Sequence, residues 1–144
     1  MTETSGSFTG RTRMLHTVSL ADVPGHELQT VEVVGTHSSP DAIWNNARVS
    51  YWGVSDLVAG SGSQRGYYAN EHTDGGLEYG AFEGRVTTDA NGTRIEGTWR
   101  ATSGTGIYAG MQAEGTFAVR LTSPSEGECS WQGRYELAAP PKAA

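Results

Sequence analysis

The residues best suited to proton chemistry lie in one short stretch, Tyr67-Tyr68-Ala69-Asn70-Glu71-His72. On an extended backbone a Glu next to a His cannot share its face, because successive side chains alternate. Period 2 groups Tyr67, Ala69 and Glu71 against Tyr68, Asn70 and His72, and neither set is decisively apolar. If the sheet closes, one of Glu71 and His72 must point inward. An inward carboxyl is harder to ionise than one in water, and an inward imidazole is neutral, so either would suit acid–base work near neutral pH. His16 shares the apolar face of an earlier stretch with Met14, Val18 and Leu20. Glu71, His72 and His16 are therefore the candidate catalytic residues. The plainer alternative for each is a solvated strand residue or a hydrogen-bonded core histidine.

Aromatic residues form the second group. Tyr51, Tyr67, Tyr68, Phe82, Trp99, Phe117, Trp131 and Tyr135 are candidates to wall a pocket for a hydrophobic small molecule. The alternative is that they only fill a core. No metal site is expected: the histidines at 16, 26, 37 and 72 lack paired ligand spacing, and Cys129 is the single cysteine. No Ser-His-Asp signature appears, no cofactor is implied, and Cys129 reads as a small strand residue. Glu83 and Arg85, with Glu96 and Arg94 or Arg100 on the next stretch, read as charge pairing on a wet face.

The elements that must position these residues are strands. Ile95, Gly97, Trp99 and Ala101 alternate with Arg94, Glu96, Thr98 and Arg100. Residues 113–122 repeat the scheme, with Ala113, Gly115, Phe117, Val119 and Leu121 on the apolar side, and residues 128–137 do so with Trp131, Gly133, Tyr135 and Leu137. Such alternation gives each strand one dry and one wet face. Further strands are expected at 12–20, 28–36, 47–59, 63–73 and 77–88, with a bulge or bend at Gly53 and turns at Asp74-Gly75-Gly76 and Asn91-Gly92. Helical periodicity is almost absent; residues 40–46 suit one turn. Glycines at 53, 66, 80, 84, 97, 115 and 133 fall inside the strands. They suit a tightly coiled sheet in which an aromatic of the next strand lies over bare backbone.

Composition sets outer bounds. The chain has 144 residues, the length of one domain, and carries 20 Gly. Ten Lys and Arg against 16 Asp and Glu give a net charge of -6. That balance argues against nucleic-acid binding and against docking on an anionic membrane. No apolar run approaches membrane-helix length, and residues 1–10 lack the apolar core of a secretory signal, so a cytoplasmic location is expected. Residues 1–10, rich in Ser, Thr and Gly, and residues 138–144 read as disordered ends around one domain over 11–137.

The stretch Ser103-Gly104-Thr105-Gly106-Ile107-Tyr108-Ala109-Gly110 resembles the glycine-rich loop of the allene oxide cyclase barrel superfamily. The approach from Asp89 to Trp99 and the segment Ser55-Asp56-Leu57-Val58 are similar to the same superfamily, and dirigent proteins carry a related loop. The resemblance covers about half of the chain, and small bacterial members are the most alike. It implies a cyclase or isomerase acting in a barrel cavity. The plant enzymes' Glu and Asn positions fall here on Thr17 or His16 and on Ser19 or Val18, which does not support the plant reaction.

The sequence thus predicts an all-β, roughly eight-stranded antiparallel closed barrel of the calycin or allene oxide cyclase-like kind with short disordered termini. The expected function is a cofactor-free cyclase, isomerase or lyase acting on a hydrophobic, natural-product-like molecule. The alternative is a small-molecule binding or carrier barrel without catalysis. Association into a homo-oligomer stays open.

Overall fold

The computed structural model describes residues 1–138. Its strands are β1 (Thr2–Ser19), β2 (His26–Thr36), β3 (Arg48–Val58), β4 (Ser61–Glu71), β5 (Leu77–Asp89), β6 (Gly92–Gly104), β7 (Gln112–Ser123) and β8 (Glu126–Glu136). Each strand pairs antiparallel with its chain neighbours, and β1 pairs with β8, closing the barrel. The expected closed eight-stranded barrel is therefore what the chain forms. Closure pairs Thr2–Arg11 of β1 with β8 and satisfies the backbone groups along that ladder.

Glycine makes the tight coiling feasible. Gly53 faces Gly66, Gly84 faces Gly97 and Gly115 faces Gly133 in adjacent strands. A Cβ on Gly115 or Gly133 would stand 2.7 or 2.6 Å from the Trp99 ring, and one on Gly6 would stand 2.5 Å from Trp131. Side chains longer than hydrogen would push these indoles out of the lumen. Gly53 itself marks no bulge: the register runs unbroken through it, from Val31 on β2 to Gly66 on β4.

Two expectations are corrected in β1. Residues 1–10 are not a disordered end: β1 starts at Thr2, and Thr2 to Arg11 pair with β8. Their small side chains suit the position, since Thr4, Gly6, Phe8 and Gly10 point inward, with Gly6 beneath Trp131. The composition looked solvated, but the strand supplies the last ladder of the barrel. The second correction concerns parity. A bulge between Thr12 and Met14 adds a residue, so Thr12 pairs with the buried Val33 while Met14 pairs with Glu32. One extra residue moves every later side chain to the opposite face. Met14, His16 and Val18 consequently face outward. The expected tail 138–144 falls, from residue 139 on, outside the described residues.

The ends of the barrel differ. At one end two-residue hairpins join β3 to β4, β5 to β6 and β7 to β8, and residues 20–25 join β1 to β2. The other end carries the longer connections 37–47, 72–76 and 105–111. Residues 40–46 make the single turn their sequence suggests, with Ile43 N–H donating to Asp41 Oδ1 at 3.0 Å. That turn drives Trp44 into the barrel mouth, where it is 2% exposed and packs against Trp131 and Tyr135. The glycine-rich loop forms a 3₁₀ turn at Gly106–Tyr108, with Gly106 and Gly110 at positive φ. Tyr108 tucks into the mouth, while Ile107 stays outside at 52% exposure.

Candidate functional site

Alternation decides which residues of β4 face the lumen. Tyr68, Asn70 and His72 are buried, while Tyr67 and Glu71 are exposed. The inward His72 meets a carboxylate that the sequence reading did not single out, Glu78 near the start of β5. Glu78 is four residues before Phe82, so period 2 places both on the inner face; this was the available signal.

Glu78 is the centre of a buried polar cluster and its side chain is 1% exposed. Tyr68 O–H donates to Oε2 at 2.9 Å. Trp44 Nε1–H and Asn70 Nδ2–H donate to Oε1, each at 3.2 Å. His72 Nε2 lies 3.0 Å from the same oxygen. The other ring nitrogen, Nδ1, lies 2.9 Å from the Ile43 carbonyl oxygen. A carbonyl only accepts, so Nδ1 carries hydrogen, and one proton is shared between Nε2 and Oε1. Oε1 already accepts two N–H groups that have no second role. Tyr108 stacks on the His72 ring at 3.8 Å and 13°, which fixes the plane of the imidazole.

The cluster continues through His37. Trp131 Nε1–H donates to His37 Nδ1 at 3.0 Å, and an indole nitrogen only donates. His37 therefore carries its hydrogen on Nε2 and donates to Asn70 Oδ1 at 2.7 Å. Burial, the largest influence, holds the His37 pKa below the ordinary 6.5, in accord with a neutral ring. The Tyr68 hydroxyl is pushed well above 10, first by burial and then by the Glu78 charge, so it remains a donor. His37 and Trp44 come from the loop between β2 and β3, where no periodicity marks them.

Below this cluster lies a small cavity of about 80 Å³, lined among others by Phe8, Tyr51, Phe82, Phe117, Val119 and Cys129. Six of the eight expected aromatics border it: Tyr51, Tyr68, Phe82, Trp99, Phe117 and Trp131. The Tyr51 hydroxyl has no hydrogen-bond partner among the described residues, and burial raises its pKa above 10. Burial also pushes the Cys129 thiol up to about 12, so it is no thiolate nucleophile at neutral pH. Toward the hairpin end the lumen is plugged by Leu57, Val86, Ile95, Val119 and Cys129.

Four expected site residues lie elsewhere. Glu71 points outward, with an oxygen 3.5 Å from Arg48 Nη2. Tyr67, on the same face, is 69% exposed. His16 is exposed on β1 because of the bulge. Tyr135 points inward but packs on Trp44 at the mouth, 4.8 Å between ring centroids, and does not border the cavity. A broad depression on the outer wall, edged by Trp52, Arg65, Tyr67 and Arg134, is open surface on the side of the strands away from the polar cluster. Among the described residues no group of three or more His, Cys, Asp or Glu is placed to hold a metal ion. Among the described residues no helix is long and apolar enough to cross a membrane.

These features define an eight-stranded meander barrel with a mostly apolar lumen, a polar cluster at one end and a buried Gln64–Ser55 hydrogen bond. No family model matches the chain, and neither does any curated protein. Among solved structures it is similar to a protein of unknown function from the DUF3224 family of Shewanella oneidensis MR-1. The likeness spans 96% of this chain and 99% of that one at a TM-score of 0.60, with 19% sequence identity. At that identity the likeness is one of fold.

Proposed function

We propose that the barrel binds a small, mostly apolar molecule in its lumen, without catalysis. The observation that carries this reading is the cavity of about 80 Å³ among Phe8, Tyr51, Phe82 and Phe117, beside polar groups already paired with one another. A dry apolar cavity of roughly 150 Å³ takes up benzene, whereas drug-sized ligands need roughly 300 Å³ or more. The guest is therefore a molecule of a few heavy atoms, or the ring or chain end of a longer one. The free Tyr51 hydroxyl suits a guest carrying one hydrogen-bond acceptor.

A second reading, a cofactor-free cyclase, isomerase or lyase, is favoured by the His72–Glu78 pair at 3.0 Å, whose carboxylate borders the cavity. The resemblance of the glycine-rich loop to allene oxide cyclase barrels points the same way. It ranks second because both His72 nitrogens and both Glu78 oxygens are engaged. Proton chemistry would require the guest to displace one of these partners.

The test is NMR titration with xenon, toluene, phenol and indole. Shifts are expected at Tyr51, Phe117, Val119 and Cys129. Cys129→Met, which fills the void, should abolish them, while Tyr67→Ser outside should not. A lumen silent to every probe would overturn the binding reading. Conversion of a bound guest that Glu78→Gln stops, with binding retained, would promote the second.

A further inference from the structure

The second half of β1 is built for a partner strand. Beyond Arg11, which faces Glu126, β8 has ended, and β1 pairs only with β2. Thr12 N–H still reaches the Ser125 carbonyl at 2.8 Å. From Arg13 to Ser19 no backbone partner stands on the β8 side among the described residues. All seven of these residues are exposed. Met14, Leu15 and Val18 are 43%, 49% and 57% exposed, on both faces of the strand. Natural edge strands are usually protected by Lys, Pro, inward charges or short length. Residues 14–19 contain no Lys, Pro, Asp or Glu. A hydrogen-bonding edge with apolar side chains on both faces is the template for strand addition.

We propose that this edge pairs antiparallel with the same edge of a second copy of the chain, about a two-fold axis at His16. An antiparallel strand pair is self-complementary under two-fold symmetry, so one edge serves both subunits. Centred on His16, the register sets Met14 opposite Val18 of the second copy, and Leu15 opposite Thr17. The largest exposed apolar side chains of the outer face thereby cover each other. The same register sets Arg13 opposite Ser19 of the second copy, so no like charges face each other across the ladder. Pairing over Arg13–Ser19 forms roughly six to eight new backbone hydrogen bonds. Leu28, across from Val18 on β2, extends the covered apolar surface. The inference is independent of what the lumen holds.

The test is light-scattering mass and sedimentation equilibrium of the full chain over a concentration series. The wild type should pass from one to two chains with rising concentration. Two charge variants, Met14→Lys/Val18→Lys and Met14→Glu/Val18→Glu, should each be monomeric at all concentrations, with an unchanged far-UV spectrum. Mixing them should restore the doubled mass, because each Lys then faces a Glu. A wild type that stays monomeric overturns the proposal. So does a dimer that survives in both variants, or a mixture that fails to associate. The milder single variant Val18→Glu should weaken dimerisation at least tenfold.

Discussion

Replacing Glu78 by Leu tests whether the inner cluster is held together by one carboxylate. The change removes the acceptor of three neutral donors, Trp44 Nε1–H, Tyr68 O–H and Asn70 Nδ2–H, and the partner of His72 Nε2. All four partners are buried, so water cannot replace the lost contacts. A buried polar group left without its partner costs roughly 1–3 kcal/mol, and four such groups lose theirs here. These costs overlap, because the leucine fills part of the space and the neighbours can shift. The expected loss is therefore about 3–5 kcal/mol, a large part of the roughly 5–15 kcal/mol that domains possess. Glu78→Gln keeps one acceptor oxygen and should cost less, roughly 1–3 kcal/mol. Urea unfolding at equilibrium measures both, provided the denaturant slope stays constant. The decisive comparison is the double variant Glu78→Leu/His72→Phe. Once the carboxylate has gone, removing the imidazole also removes an orphaned buried polar group. The double variant should thus be more stable than the sum of the singles by at least about 1 kcal/mol. A Glu78→Leu loss below about 1 kcal/mol, or strict additivity, would refute the idea of a single organising carboxylate.

Two further outcomes follow from the same reasoning. His26 Nδ1 lies 2.8 Å from Asp22 Oδ1 and Nε2 lies 2.6 Å from Asp56 Oδ1, so both ring nitrogens donate, and the Asp22 and then the Asp56 hydrogen bonds raise its pKa above 6.5. Its stabilising effect is full below pH 6.5 and is lost as pH rises through the raised value, while the lowered Asp22 pKa sustains the clip above pH 3.8 and loses it as pH falls through that lowered value. An NMR titration of His26 should give a midpoint above 6.5 that falls in Asp22→Asn, and an unshifted midpoint would count against the clip. The Thr4 hydroxyl is buried without a hydrogen-bond partner among the described residues, so Thr4→Val, of the same shape, should raise stability by about 1 kcal/mol, and a destabilised variant would point to an ordered water at that oxygen.

Much of the wall was legible in the amino-acid order because alternation is local. Trp99, Phe117 and Trp131 face inward as their strands' period 2 requires, and Gly80, Gly84, Gly115 and Gly133 lie beneath aromatic rings, while Gly53, Gly66 and Gly97 do not. The set Tyr68, Asn70 and His72 was equally visible as a group; only closure determined that it, and not Glu71, meets the lumen. Three things depended on distant parts of the chain. The bulge at Thr12–Met14 reversed the faces of the rest of β1, and a single inserted residue leaves no compositional trace. Residues 2–11 are polar and small, and they are ordered because β8 has a ladder to fill. The polar cluster draws His37 and Trp44 from a loop, Asn70 and His72 from β4 and Glu78 from β5. Contacts such as Trp131 to His37, 94 residues apart, come from the curvature of a closed sheet, which no local pattern encodes.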